Sequence, residues 1–354
     1  NTDMATQYPF NYGFPLFVPD TSRAYLIKHE KNRVSDIWGF WDYLVKIHAR
    51  KRNPRHEQFL QTLLEQAKYF FEAAEVAPLH SQPLLYYYSF LNVAKIVINI
   101  YHPMGNTVEY YHGIETKVNS TTNLSSAMVT FKQYGRIGST HISVAKEFIN
   151  LLGDSIIVPH PTSIKKLLAS CIGVHRTYCE TFNEKESFYR LLNTKEIEKD
   201  GMDITYYSII KNVDANSFLT LSRIGYNIIS NADGTYGLKI DYRMPNYNIG
   251  FQSWKNLKNA VLANGMWSYT DGNDYRLYIS DKAELFSSAS IIYCIMFFLG
   301  SVTRYHPYFF DNLLSAKEQW LIDEFLHTQP LQFMYMITSK VVGNYVYHTR
   351  QMLK

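Results

Sequence analysis

The sequence predicts a mostly helical α+β protein in which N- and C-terminal helices pack together as a helical bundle, interrupted by a strand-rich antiparallel middle region. Three observations carry this expectation. Apolar residues recur at helical spacing over residues 33–104 and again over 281–354. Between 201 and 280 the pattern changes to β-rich runs punctuated by Asp233-Gly234 and Asp271-Gly272, both favoured hairpin turns. Finally, 46% apolar against 19% charged residues in a chain of 354 supplies enough apolar surface for a sizeable core.

The elements follow in order. Residues 1–32 hold scattered Pro, Gly and aromatics with no period, and read as an extended arm packed on the body. Ser35-Asp36 is an N-cap signal for a first helix carrying Trp38, Trp41, Leu44, Val45 and His48. After a charged break, a second helix places Phe59, Leu60, Leu63, Leu64, Ala67, Phe70 and Phe71 on one face. A third opens at Ser81-Gln82-Pro83, where proline's missing N–H costs nothing, and ends at His102-Pro103. Residues 105–200 are mixed, with a hairpin over 127–144 turning at Gly135–Gly138 and a helix over 162–179. Strands are expected over 203–213, 219–230 and 236–242, and a hairpin over 266–279. Helices resume at 281, and Gln329-Pro330 reads as the start of the last one. No linker rich in Pro, Gly or Ser divides these blocks, which predicts one α+β domain over 1–354 with residues 81–101 packed on 284–303.

Composition narrows the partners. The chain holds 29 Tyr, 21 Phe and 5 Trp, and tyrosine's apolar body with a polar tip suits core edges and interfaces, so a protein partner or self-association is expected. A net charge of +4 is too small to mark a nucleic-acid binder by itself. Cys171, Cys179 and Cys294 show no CxxC spacing and fit reduced thiols in the cytoplasm. The sequence shows no signal peptide at its start. The apolar stretch over 286–303 carries four Ser and a Gly, which points to a buried helix and not to a membrane span.

Two helical segments resemble a known family. The first is Ser81-Gln82-Pro83-Leu84-Leu85-Tyr86-Tyr87-Tyr88 through Asn92, Ala94 and Lys95, followed by His112-Gly113-Ile114. The second is Ser301-Val302-Thr303-Arg304-Tyr305-His306-Pro307 followed by Leu331-Gln332-Phe333-Met334. In this order, about a strand-rich middle, they resemble the YaaC-like bacterial proteins. That resemblance implies an architecture and a bacterial cytosolic setting, and no reaction. The Tyr-rich helix with its His-Gly turn is also similar to HEPN-type bundles, whose active members cleave RNA with an Arg and a His separated by four to six residues. Arg50 and His56 have that spacing, but they precede the Tyr-rich helix where the family's pair follows it.

Candidate site residues fall in three places. Lys46, His48, Arg50, Lys51, Arg52, Arg55 and His56 form the densest positive run, able to neutralise phosphates of a nucleic acid or to stand as a solvated loop. Gln82, Lys95 and His112 are polar positions in or beside an apolar block. A buried lysine loses solvation and a nearby imidazole titrates near neutrality, so Lys95 and His112 are candidates for acid–base or anion-binding chemistry; local snorkelling and turn capping are the plainer explanations. Arg304, with His306, ends the long apolar helix, where it would either cap the dipole or grip a phosphate. Lys95, His112 and Arg304 would form an anion pocket if they converge. No P-loop, Gly-x-Gly-x-x-Gly, Gly-x-Ser-x-Gly or His-Glu-x-x-His motif is present, and no Cys/His group has zinc spacing; neither a cofactor nor a metal is expected.

The functional expectation is therefore an interaction module within a stress or antiviral defence assembly. The alternative is a HEPN-like ribonuclease or other nucleic-acid-acting effector, and the third reading is a binder of small anionic ligands.

Overall fold

A computed structural model describes residues 6–9, 34–49, 54–104, 108–119, 121–134, 140–186, 188–199, 203–211, 213, 215–224, 226–243, 266–271, 274–279, 286–342 and 346. The chain separates into two compact units, one made of residues 34–184 with 286–338, the other of 1–33, 185–285 and 339–354. The fold is α+β, with helical N- and C-terminal regions and an antiparallel strand-rich region between them in sequence.

The first unit is the helical body. It contains α1 (Ile37–Ala49), α2 (Pro54–Val76), α3 (Gln82–Tyr101), α4 (Val144–Leu151), α5 (Ile164–Ser170), α6 (His175–Phe182), α8 (Ser288–Tyr305), α9 (Pro307–Leu314) and most of α10 (Glu318–Val342). The expected N-cap is present: the Asp36 carboxylate accepts from the Gly39 N–H at 2.9 Å. Helix α3 is apolar over nearly its whole circumference, as a helix covered on several sides must be. Its polar groups inside that shell are tied locally, with the Ser89 hydroxyl donating to the Ala67 carbonyl at 2.7 Å and the Gln82 amide to the Ala74 carbonyl at 3.0 Å.

The terminal blocks meet within this unit. A Cβ built on Gly300 of α8 would lie 2.8 Å from the Tyr87 Cβ and 3.3 Å from the Pro83 carbonyl of α3, so glycine permits the close approach. Phe90 and Phe333 stack at 3.9 Å between α3 and α10, and the Trp41 indole N–H donates to the Thr338 hydroxyl at 2.8 Å. Helix α8 is long and apolar enough to cross a membrane by composition, but 72% of it is buried inside the body, as a core helix is.

Two small sheets complete the body. In one, β2 (Glu109–Tyr111) pairs in parallel with β5 (His141–Ser143). In the other, β3 (Ile114–Lys117), β4 (Met128–Phe131) and β6 (His160–Ser163) form an antiparallel trio with β4 at its centre. The expected 127–144 hairpin is thus corrected: its two strands belong to different sheets, and Gly135–Gly138 lies outside the described residues. Sequence alternation marks strands but not partners; β5 runs straight into α4, and the Ala145 N–H bonds the His112 carbonyl at 3.0 Å, which ties this segment to β2.

Two further expectations need correction here. The helix expected over 162–179 is β6, α5, a short 3₁₀ turn (Ile172–Val174) and α6, broken at Cys171, whose ψ of 89° is not helical. Gln329-Pro330 does not start a helix: α10 runs through it with Pro330 inside. An interior proline costs about 3 kcal/mol, and fully buried Phe325, Leu326, Phe333 and Met334 on either side offset it.

The second unit is built on a seven-stranded sheet. Its path is β11 (Met266–Asp271), β12 (Asp274–Ile279), β7 (Phe188–Lys199), β8 (Asp203–Ile210), β10 (Tyr236–Arg243) and β9 (Asn227–Ser230), with β1 (Thr6–Pro9) also on β7. All its pairings are antiparallel. The 266–279 hairpin forms as expected, with Asp271 opposite Asp274. At the 231–235 turn Gly234 takes φ +80°, and the Asp233 carboxylate accepts from the Thr235 N–H and hydroxyl, which hold it below the usual carboxylate range. The strand expected over 219–230 is corrected to α7 (Ala215–Ile224) followed by β9; a short apolar run does not by itself distinguish the two. Of the expected arm, only β1 is among the described residues.

Candidate functional site

Lys95 and Arg304 each lie within electrostatic reach of His112. His112 follows β2 and is fixed from both sides by backbone: Ala145 holds its carbonyl, and Gly113 takes φ +72° with no room for a Cβ against Ser143. Its ring lies 5.6 Å from the Tyr87 ring and 6.5 Å from that of Phe297. The Tyr87 hydroxyl and His112 Nδ1 share a hydrogen bond. Burial, then the nearby positive charges of Lys95 and Arg304, push the imidazole below its ordinary value. Tyr87 is itself pushed well above the usual phenol range, by burial first and then by the phenols of Tyr293, Tyr88 and Tyr305. It therefore stays protonated, and the phenol and Nδ1 share one proton-bearing contact whose direction follows the imidazole tautomer.

Lys95 sits in the middle of α3, with its ammonium 5.6 Å from the centre of the Tyr110 ring. Burial alone lowers its ordinary value. Among the described residues no carboxylate and no hydrogen-bond acceptor pairs with it. The Tyr110 hydroxyl is turned to Asn99, whose amide donates to it at 2.8 Å.

Arg304 closes α8. Its guanidinium donates to the Tyr88 hydroxyl at 2.6 Å and lies 4.9 Å from the centre of the Tyr305 ring. That bond runs across to α3 and not to the carbonyls of its own helix, so cross-helix bridging accompanies any dipole capping. Among the described residues Arg304 also lacks an acid partner. Tyr88 and Lys95 are seven residues apart on one face of α3, about 10 Å along the axis.

The result is a surface group of two cationic side chains and one titratable ring, set among phenols and without a matching negative charge among the described residues. Such a group repels itself unless an anion joins it.

The remaining candidates do not join this group. Gln82 is buried and holds the end of α2 through Ala74. Arg50 and Arg52 lie outside the described residues, as does Lys51. Arg55 is exposed in the first turn of α2, one turn before Phe59, which stacks on Tyr110 at 6.3 Å. His56 is only 7% exposed. Among the described residues no three His, Cys, Asp or Glu stand close enough to hold a metal. Sequence reasoning missed the phenols Tyr87, Tyr88, Tyr110 and Tyr305 as members of the site. The available signal was a run of three tyrosines starting nine residues before Lys95 on one helix.

Fold and site together define a helix-dominated α+β protein with a cationic, phenol-lined surface cluster. The YaaC-like Protein family model matches residues 25–341, and the chain belongs to that family. No curated protein and no solved structure matches it.

Proposed function

We propose that the helical body binds a small anion at Lys95, His112 and Arg304. The observation that supports this best is the pair of cations, Lys95 and Arg304, that bear on His112 without an acid partner among the described residues. Of the anions available to a bacterial cytoplasm, a phosphate group fits the charge: a phosphomonoester carries about −1.5 to −2 near neutral pH, against the positive charges of Lys95 and Arg304. Arginine offers paired planar donors, lysine a rotatable ammonium and a protonated His112 a ring N–H, so the three can share three phosphate oxygens. The cytoplasmic setting draws support from three buried cysteine thiols. Calorimetric titration of the full chain with inorganic phosphate tests the reading. Saturable binding lost in Lys95→Met and in Arg304→Met, both folded by thermal melting, is the expected outcome. Retained affinity in both variants would reject it.

A role in a protein assembly has its own observation, since Tyr308 and Trp320 are 87% and 72% exposed. Sedimentation of the wild-type chain and of Trp320→Ala compares their association. The ribonuclease reading draws nothing from His56, whose burial keeps it from a phosphodiester.

A further inference from the structure

We infer that the anion carries an aromatic ring, and that the site takes a mononucleotide with its base laid on Tyr305. The inference rests on the anion-site reading above and adds the class of ligand. Tyr305 is 62% exposed at the end of α8, immediately after Arg304. Its phenol lies within electrostatic reach of Tyr87, the residue bonded to His112, so the ring stands beside the same cluster. Arg304 lies 4.9 Å from the ring centre, so its guanidinium is shared between the ring and the Tyr88 hydroxyl. Exposed tyrosine rings commonly cover an apolar neighbour or give their hydroxyl a partner. Among the described residues, Tyr305 instead presents its ring to solvent with a cation on its edge or face. A planar, electron-poor base stacks well on such a ring, and an adjacent guanidinium adds cation–π attraction.

Charge and shape together narrow the ligand. A carboxylate would answer only one of the two positive charges, whereas a phosphomonoester can answer both. Free phosphate would leave the exposed ring unused. A nucleoside monophosphate places a dianion and a flat ring at the two ends of a sugar, a separation of about two helical turns or less, which matches a ring directly next in sequence to the phosphate-gripping Arg304.

The test compares inorganic phosphate, ribose 5-phosphate and adenosine monophosphate by calorimetric titration of the full-length chain. All three should bind, with the nucleotide roughly tenfold tighter than the sugar phosphate, the scale of one base–aromatic stack. Tyr305→Leu should remove that advantage, bringing the nucleotide's affinity down to that of ribose 5-phosphate measured on the same variant. Tyr305→Phe should keep it, and Tyr308→Leu, at a neighbouring exposed ring, should have no effect. Equal affinity of nucleotide and sugar phosphate overturns the inference while leaving the anion site standing, as does an advantage that survives Tyr305→Leu. Failure of all three to bind overturns the anion site itself, and this inference with it.

Discussion

At its N-terminal end α8 meets a buried carboxylate, and at its C-terminal end it carries a guanidinium. The Asp154 carboxylate accepts from the Ser287 N–H at 3.0 Å, from the Ser287 hydroxyl at 2.8 Å and from the Ser290 hydroxyl. Asp154 is 7% exposed and Ser290 fully buried. The sign of each charge suits the helix dipole, negative near the N–H groups and positive near the carbonyls. The surroundings differ. Asp154 is saturated by donors supplied from α8, so that end is closed and structural. Arg304 bonds one phenol and lies within electrostatic reach of His112, and among the described residues no carboxylate answers it. The polar cluster at the N-terminal end is complete within the chain; the one at the C-terminal end, the proposed anion site, lacks an acid among the described residues.

The largest expected effect falls at the closed end. Asp154→Ala leaves buried hydroxyls and the Ser287 N–H without an acceptor and should destabilise the helical body by about 3 kcal/mol in urea unfolding. Phosphate affinity of the folded protein should be unchanged. A loss of affinity as large as the loss of stability would show that the two ends are not separable.

The open end should behave in the opposite way. Lys95→Met replaces a partly buried, unmatched ammonium with an apolar side chain of similar length. Phosphate binding should fall at least tenfold, while the free protein gains on the order of 1 kcal/mol, measured by thermal melting without ligand. A destabilised Lys95→Met would mean that the ammonium serves the fold after all.

A smaller effect concerns pH. The folded value of His112 lies below its unfolded one, so below about pH 6.5 the unfolded chain binds more protons than the folded chain. Stability is therefore full above that pH and is lost as pH falls through the folded value. Bound phosphate opposes Lys95 and Arg304, raises the imidazole, and should reduce this loss. His112→Asn should flatten the dependence. Melting curves at a series of pH values, with and without phosphate, read both; an identical slope in wild type and His112→Asn would remove the imidazole from the account. The smallest test is a count: thiol titration under denaturing, non-reducing conditions should find three thiols.

Much of the body was legible in sequence because its signals are local. The Asp36 cap, the apolar face of α2 and the apolar girth of α3 and α8 are set by residues three or four apart. Lys95 and Arg304 stood out as charges interrupting apolar helices, and His112 as a ring after a turn. That both cations reach His112 was not legible, because it depends on which side of α3 meets the end of α8. Asp154 was invisible for the same reason: it caps a helix 133 residues away. The strand partners of β4 and β5 were likewise set by tertiary contacts, and the helical α7 by a run too short to show a period.

Gly300 gives the open end a dependence that no inventory of ligand contacts would reveal. It lies one turn before Arg304 on a rigid rod pressed against Tyr87. A helix displaced at one turn carries its neighbouring turns with it. A methyl group at residue 300 would wedge α8 away from α3, and Arg304 would move off the Tyr88 hydroxyl by a comparable amount. The proposed grip on an anion would thus be calibrated by a missing side chain, and a substitution at a position that touches nothing charged should register as a change in charge recognition.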